Sequence, residues 1–426
     1  MRRILILSVL AVFITTSAFA GAFKAGFAKR DVTPAQPMPM WGYGARHALP
    51  GMGAMSPLFA KALVLDTGDA KVALVGLDIG RSPTHRSMGV ITEAVKTQSG
   101  VDYVMISGSH THHGPVLELL DESGLGKGAF DYGVAYVKEL EQNIIGAINE
   151  AASGAVEARI GWVTEDTDLN RNRVSKRQPK PRDPELAVLR MDTLDGKPLA
   201  LMVNLAGHAV LEDIMDRRWS GDWPAAMQRR VEELSGINCF FMQGASGDLS
   251  PNTNDQRRGP QGFGNAAADK VLELNQRLET RVPEHPGIKG IDQKFSYPTR
   301  LDLTDKLTIG VFKQGFFPEL MAMMVELPNN TITVRLVTVL VNGELALVGG
   351  SGEFFSELAV QLKQESKAKE TLFFGYCNGH QMYVPSRAAV AEGGYGADPM
   401  FAWVPVGTGE ELIATALKNI ETLLAP

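Results

Sequence analysis

Three of the chain's eight histidines fall within four positions, in the run S-G-S-H-T-H-H-G-P at residues 107–115. Imidazoles bunched beside a Gly-Pro turn suit metal ligation or proton transfer, because a neutral ring nitrogen is both a ligand and a base near neutral pH. Read alone, H-x-H fits a solvated polar loop equally well. A fourth histidine, His208, follows the apolar run Pro198 to Ala206 through Gly207; by itself it also reads as a satisfied core or turn histidine. Glu353 stands in G-S-G-E-F-F after the apolar run Glu344 to Gly349, where it is expected to open a helix and complement its dipole. Tyr383 lies beyond the run Thr371 to Tyr376, and a half-buried ring with a wet hydroxyl accounts for it too. Together, two imidazoles, a carboxylate and a phenol or water make a four-coordinate zinc site of the catalytic type. Only Cys239 and Cys377 are present, so a four-thiolate site is excluded and nitrogen and oxygen must hold any metal.

The elements that must position these residues are legible from periodicity. His85 to Ser99 reads as a helix stopped by Gly100, and Val101 to Ser107 as a buried strand leading to the histidines. If that strand continues to Thr111, His110 and His112 share one face, while Thr111 and His113 take the other. Phe59 to Asp66 and Lys71 to Asp78 form a hairpin about Thr67-Gly68-Asp69, and Val134 to Ser153 is a helix. Strands are expected at Ala158 to Thr164, Leu186 to Met191, Pro198 to Ala206 and Asn238 to Met242, with helices at Trp223 to Leu234 and Ala266 to Leu278. Arg171 to Glu185 is a proline-rich loop and 283–300 a proline-interrupted stretch. Thr331 to Val341 and Glu344 to Gly349 form a hairpin about Asn342-Gly343; then come a helix from Glu353 to Gln364, a strand at Thr371 and a helix from Glu410 to Leu424. Ser250 before Pro251 reads as a helix N-cap, and G-D-L-S-P lacks the spacing of a nucleophile elbow. The alternation predicts an α/β fold: a single domain with a large mixed β-sheet covered by helices, whose strand ends bring the candidate ligands together.

At 426 residues with 44% hydrophobic and 21% charged residues, the chain has ordinary globular composition. Residues 1–20 stand apart: Arg2-Arg3, the apolar Ile4 to Ile14 and Ser17-Ala18-Phe19-Ala20 fit a cleavable signal peptide ending at Ala20. That predicts a secreted or periplasmic protein whose domain is 21–426. Losing the two arginines takes the formal charge from −6 to −8, which disfavours nucleic acid and anionic membranes as partners. No later run is apolar over the ~18 residues a transmembrane helix needs. A Cys239–Cys377 bridge is permitted in an exporting compartment, and spacing does not decide it. Phe316-Phe317 and Met321 to Val325 read as core, with an acyl-chain pocket as the alternative. No sequence signal speaks to oligomeric state.

The segments F-A-K-R-D-V-T-P (27–34), W-G-Y (41–43), S-H-T-H-H-G-P, N-R-N-R (170–173), G-D-L-S-P-N (247–252), G-E-F (352–354) and N-x-x-x-x-Y-V (378–384) occur in a telling order. In that order they resemble the catalytic domain of the neutral, non-lysosomal ceramidases, zinc-dependent amidases that cleave ceramide to sphingosine and a fatty acid. The likeness runs to about Gly396, and no segment resembles the family's carboxyl-terminal immunoglobulin-like domain. It implies that His110, His208, Glu353 and Tyr383 bind one Zn2+. It further implies that His112 orients water or shuttles a proton, that Arg173 holds the scissile carbonyl or the released carboxylate, and that Tyr395 is a second active-site tyrosine. Ser250 falls where the family has its active-site serine, as attacking group or hydrogen-bond partner; His113 falls where the family usually carries serine. The function implied is an exported amidohydrolase acting on the N-acyl bond of ceramide or a related N-acyl lipid, met at a membrane surface. A metallohydrolase of other amide or ester specificity, or an exported lipid-binding protein without turnover, are the alternatives.

Overall fold

Every long strand expected from the sequence forms, and the helices fall within about three residues of their expected ends, except the one expected from Ala266, which begins two turns earlier at Gly259. The computed structural model describes residues 21–46, 49–123, 126–315 and 328–425, so the leader at 1–20 and the apolar stretch at 316–325 lie outside the described residues. Eight strands build one mixed sheet: β1 (Lys24–Asp31), β2 (Phe59–Asp66), β3 (Lys71–Leu77), β4 (Tyr103–Gly108), β5 (Val156–Asp166), β6 (Glu185–Thr193), β7 (Pro198–Leu205) and β8 (Cys239–Gln243). Their spatial order is β8-β7-β6-β5-β1-β2-β3-β4. Only β3–β4 and β7–β8 are parallel. Each of those pairs requires a crossover, supplied by α1 (His85–Ser99) and α3 (Asp222–Ser235). Thr84 caps α1 by accepting from the Ser87 N–H, and Gly100, at φ 68°, closes it in the left-handed conformation that glycine adopts without strain.

One face of this sheet is helix-covered. Together α1 and α2 (Asp131–Ser153) bury Met88, Ile91, Ile144 and Ile148 against Ala62, Val64 and Val75. Farther along, α3 and α4 (Gly259–Arg277) bury Trp223, Met227 and Phe263 against Val188, Val203 and Phe241. The sheet curls until β8 meets β2 and β3. Lys61 Nζ donates to the Cys239 carbonyl at 2.7 Å, and a Cβ on Gly76 would lie 2.4 Å from the Phe241 carbonyl oxygen, a separation only glycine allows.

The other face packs on a second sheet, β9 (Ile288–Pro298), β10 (Thr331–Val341), β11 (Leu345–Gly350) and β12 (Glu370–Phe374), in that spatial order with β11–β12 parallel. Period-two alternation sorts its residues. Val337, Val339, Leu347 and Phe374 meet Leu65, Leu74, Met202 and Phe240 of the first sheet. Leu336, Val348 and Phe373 meet α5 (Ser356–Glu365) and α6 (Thr408–Leu424) through Leu358, Leu362, Ile413 and Ile420. The large mixed sheet is therefore present, and a helix, sheet, sheet, helix stack completes it. Each large apolar side chain so buried contributes about 1.5–3 kcal/mol.

Four local expectations are corrected. First, β4 stops at Gly108 and His110 takes φ 63°, so the histidines sit in a turn rather than on a strand. Second, the stretch 283–300 contains β9, an edge strand whose Ile291, Phe295 and Tyr297 alternate with polar residues. Third, Glu353 does not open a helix; Glu353–Phe354 pairs in parallel with Tyr383–Val384, and α5 begins at Ser356. Fourth, Ser250 is no N-cap, because Leu249–Pro251 pairs with Asn170–Asn172 and α4 begins at Gly259. Cys239 and Cys377 are separate buried thiols; burial pushes the Cys239 thiol up to about 12.

Candidate active site

Strand ends converge on one buried cluster. Beyond β3, the Gly80 carbonyl accepts from His110 Nδ1 at 3.0 Å. Beyond β7, His208 Nδ1 is held by the carbonyls of Ser246 at 2.7 Å and Leu249 at 3.1 Å. A ring whose Nδ1 donates to a carbonyl presents Nε2 as a lone pair, and this is how metal-binding histidines are oriented. Both Nε2 atoms face the same carboxylate oxygen: Glu353 Oε2 is 3.5 Å from that of His110 and 3.4 Å from that of His208. His112 completes the group, its Nε2 lying 3.3 Å from that of His110. The ligand atoms of His110, His112 and His208 lie within 4.8 Å of one another.

One side chain pins both histidine segments. Gln243, at the end of β8, donates from Nε2 to the carbonyls of Ser109 at 3.0 Å and Gly207 at 2.8 Å. Its Oε1 accepts from the N–H groups of Gly207 and Gly244, each at 3.1 Å. The amide thus uses its full capacity, three of its four bonds falling on Ser109 and Gly207, the residues preceding His110 and His208. From the second sheet, Asn378 accepts from the Ile106 N–H at 2.8 Å and donates to the Val104 carbonyl, mimicking a strand beside β4.

Burial sets the electrostatics. It drives His110 down to about 3, with Glu353 opposing the shift, and takes His112 and His208 well below their usual range. All three imidazoles are therefore neutral at physiological pH, the form that binds metal. Arg173 is a cation at the edge of the cluster: Nη2 donates to His208 Nε2 at 2.7 Å, to the Gly247 carbonyl at 3.0 Å and to Tyr383 Oη at 3.3 Å. Burial works against its charge, but Tyr383 and Glu353 outweigh this and raise its pKa.

Donor chemistry and spacing fit a metal. Two lone-pair imidazoles and a carboxylate oxygen stand 3.4–3.5 Å apart along the two His–Glu edges; tetrahedral bonds of about 2.0–2.1 Å place ligand atoms roughly 3.3 Å apart. A metal there competes with Arg173 for the His208 lone pair.

The remaining sequence candidates take distinct places. Tyr383 is buried, its register partner is Glu353, and it reaches the cluster through Arg173. Tyr395 is 53% exposed, with its ring 5.6 Å from that of Tyr383, on the rim. Ser250 follows Leu249, whose carbonyl holds His208; among the described residues its hydroxyl bonds to none of the cluster. His113 turns away to the Asp213 carbonyl at 3.0 Å.

Three contributors escaped sequence reasoning. Tyr376, at φ 52°, stacks on His110 with ring centroids 4.1 Å apart, and its hydroxyl lies 2.9 Å from Ser246 Oγ and 3.4 Å from Glu353 Oε2. Arg46 donates to the carbonyls of His112, Trp41 and Asp216. Tyr43 lies against the His112 ring at 4.7 Å. The residue pair Trp41-Gly42 hints at such a lining: a Cβ on Gly42 would lie 2.4 Å from His112 Cβ.

No family model matches the sequence. Among solved structures, neutral ceramidase from Pseudomonas aeruginosa aligns over 95% of this chain and 74% of its own, with a TM-score of 0.75 and 18% identity. The chain has the neutral ceramidase fold. A ceramidase complexed with C2 aligns equally well, at a TM-score of 0.75 and 17% identity, over 94% of this chain and 75% of that one. On this ceramidase fold the histidine cluster lies at the carboxyl ends of β4 and β7, where α/β sheets hold ligands.

Proposed function

We propose that the protein is an exported, zinc-dependent amidohydrolase of the neutral ceramidase family, cleaving the N-acyl bond of ceramide or a related N-acyl lipid to a fatty acid and an amine. The observation that carries this reading is the convergence of His110 Nε2 and His208 Nε2 on Glu353 Oε2 at 3.4–3.5 Å, with both Nδ1 atoms fixed by carbonyls, on a fold shared with ceramidases. His110, His208, Glu353 and Tyr383 would hold the ion. When bound, zinc supplies Lewis acidity at a carbonyl oxygen and acidifies water.

The chain's own residues supply the rest. The neutral ring of His112 accepts a proton from the attacking water and returns it to the leaving amine, without which an amide does not break. Arg173 neutralises charge growing on the carbonyl oxygen, and Tyr383 and Tyr395 line the path to it. Export rests on the leader-like residues 1–20. The test measures fatty acid release from a short-chain fluorescent ceramide by residues 21–426, with zinc determined on the same sample and a chelated control. Chelator-sensitive release with zinc near one per chain supports the proposal. Bound zinc without release moves the substrate to another amide or ester, and neither zinc nor release rejects the enzyme in favour of a binding protein.

A further inference from the structure

The turn Ser246-Gly247-Asp248, just beyond β8, is where the separate segments of the cluster are tied together. Ser246 holds His208 through its carbonyl and Tyr376 through its hydroxyl, at 2.7 and 2.9 Å. The Gly247 N–H donates to the Phe354 carbonyl at 2.9 Å. A Cβ on Gly247 would lie 2.6 Å from the Glu353 carbonyl oxygen, so no other residue permits this approach. Asp248 is 2% exposed and joins two segments that have no sequence proximity. Its Oδ1 accepts from the Ser356 N–H at 2.7 Å, and its Oδ2 from Ser356 Oγ at 3.0 Å and Asn172 Nδ2 at 2.6 Å. Its carbonyl accepts from the Arg173 N–H at 2.9 Å.

We infer that Asp248 is a positioning residue that fixes the segment leading into Arg173 against the strand carrying Glu353, and thereby sets the metal affinity of the cluster. This rests on the metal-centre reading but not on ceramide as substrate. Two features make a carboxylate necessary. Each oxygen faces a group that can only donate, the Ser356 N–H at Oδ1 and Asn172 Nδ2 at Oδ2, so an amide would set its NH2 against one of them. One of them is the first N–H of α5, where Phe355 offers no side-chain cap and a negative charge suits the positive end of the helix. Asn172 then passes the restraint on. While its Nδ2 is held by Asp248, its Oδ1 accepts from the N–H groups of Val174 at 2.9 Å and Ser175 at 2.8 Å, turning the chain about Arg173.

The experiment titrates the metal-free mature chain with Co2+, reading the visible absorption of the bound ion and its dissociation constant. Asp248→Asn is expected to weaken Co2+ binding by about 10–100-fold, the usual cost of losing a group that orients metal ligands, and to shift the absorption band. The exchange Asp248→Asn with Asn172→Asp restores one bond in reverse, amide to carboxylate, while leaving the Ser356 N–H an acceptor; it is expected to recover part of the loss. Asp192→Asn removes a buried carboxylate held by Thr280 Oγ1 at 2.6 Å, far along β6, and is expected to lower thermal stability without changing Co2+ binding. Wild-type affinity and spectrum in Asp248→Asn overturn the inference while leaving the metal centre intact. No binding by the wild type overturns both. Should Asp248→Asn fail to fold, Ser356→Ala removes a single donor; an unchanged dissociation constant there likewise overturns the inference.

Discussion

Acid is expected to loosen this protein through histidines that fold in the neutral form, and His85 isolates the effect from any metal. His85 opens α1 with Nε2 3.0 Å from the Thr333 carbonyl and 2.9 Å from Gln381 Nε2. Burial lowers its pKa to about 4; the bond to Thr333 opposes this, while Lys294 and Arg335 add to it. The unfolded chain takes up the proton near 6.5, so between 6.5 and 4 the unfolded state binds more protons than the folded one. The contribution is therefore whole above pH 6.5 and is lost as pH falls toward 4. At pH 5 the deficit is roughly 1.5 pH units at 1.36 kcal/mol each, about 2 kcal/mol. His113, lowered to about 4, acts in the same sense. Asp222 and Asp248, raised by burial to about 7 and about 6, act in the opposite sense, losing stability as pH rises through those values. A single-variant comparison cancels these other groups. His85→Gln keeps a side-chain N–H for Thr333 and removes the titration. Urea unfolding of the metal-free protein at pH 7.5 and pH 5 should show the wild type losing about 2 kcal/mol more than the variant. Equal losses in the two proteins would refute the burial argument.

Three further outcomes are expected. Glu353→Gln keeps the shape of the oxygen that faces both His110 and His208 but removes its charge, and equilibrium dialysis should show metal binding abolished or weakened beyond the micromolar range. Arg173→Ala should cut kcat by about 10²–10³, the scale of losing a group that stabilises developing charge. Because its guanidinium sits on the His208 lone pair, metal affinity measured in parallel should be equal or tighter. Chelation of the folded protein should lower its thermal midpoint, since removing an ion present at ~1,000 times its dissociation constant costs about 4 kcal/mol; an unchanged midpoint would argue against a bound metal.

Legibility in the sequence followed periodicity. Hairpins such as β10–β11, with Asn342 and Gly343 at φ 55° and 67° in the turn, and helices such as α1 with its Thr84 and Gly100 ends, declare themselves locally. So did the pairing of His110 with His112, although a turn at φ 63° rather than a strand face brings it about. Glu353 satisfies the local rules for a helix start, a carboxylate after Gly-Ser-Gly, yet lies in a strand, because its pairing with Tyr383 is set by a segment thirty residues away. Tyr376 carried no signal, because a bulky residue in the left-handed region is held there by its surroundings. The prolines at 283, 286 and 298 hid β9, whose alternation is that of a half-buried edge.

The arrangement has a common geometric cause. Each strand of the three parallel pairs within the two main sheets delivers one component just past its carboxyl end: β3 gives Gly80, β4 His110, β7 His208, β8 Ser246, β11 Glu353 and β12 Tyr376. Parallel neighbours end on the same side and must be followed by irregular chain before their crossovers, so they leave room for turns at φ values such as those of His110 and Tyr376. The tight turns that close the antiparallel hairpins β2–β3 and β10–β11, about Gly68 and Gly343, deliver none of these six. Glu353 and Tyr376 come from the second sheet and the histidines from the first, so the cluster exists only when the interface of Leu74, Met105, Val339 and Phe374 is packed. Metal affinity and the docking of the two sheets are thereby one equilibrium, because an ion that binds only the assembled cluster stabilises the assembled sheets by the same free energy.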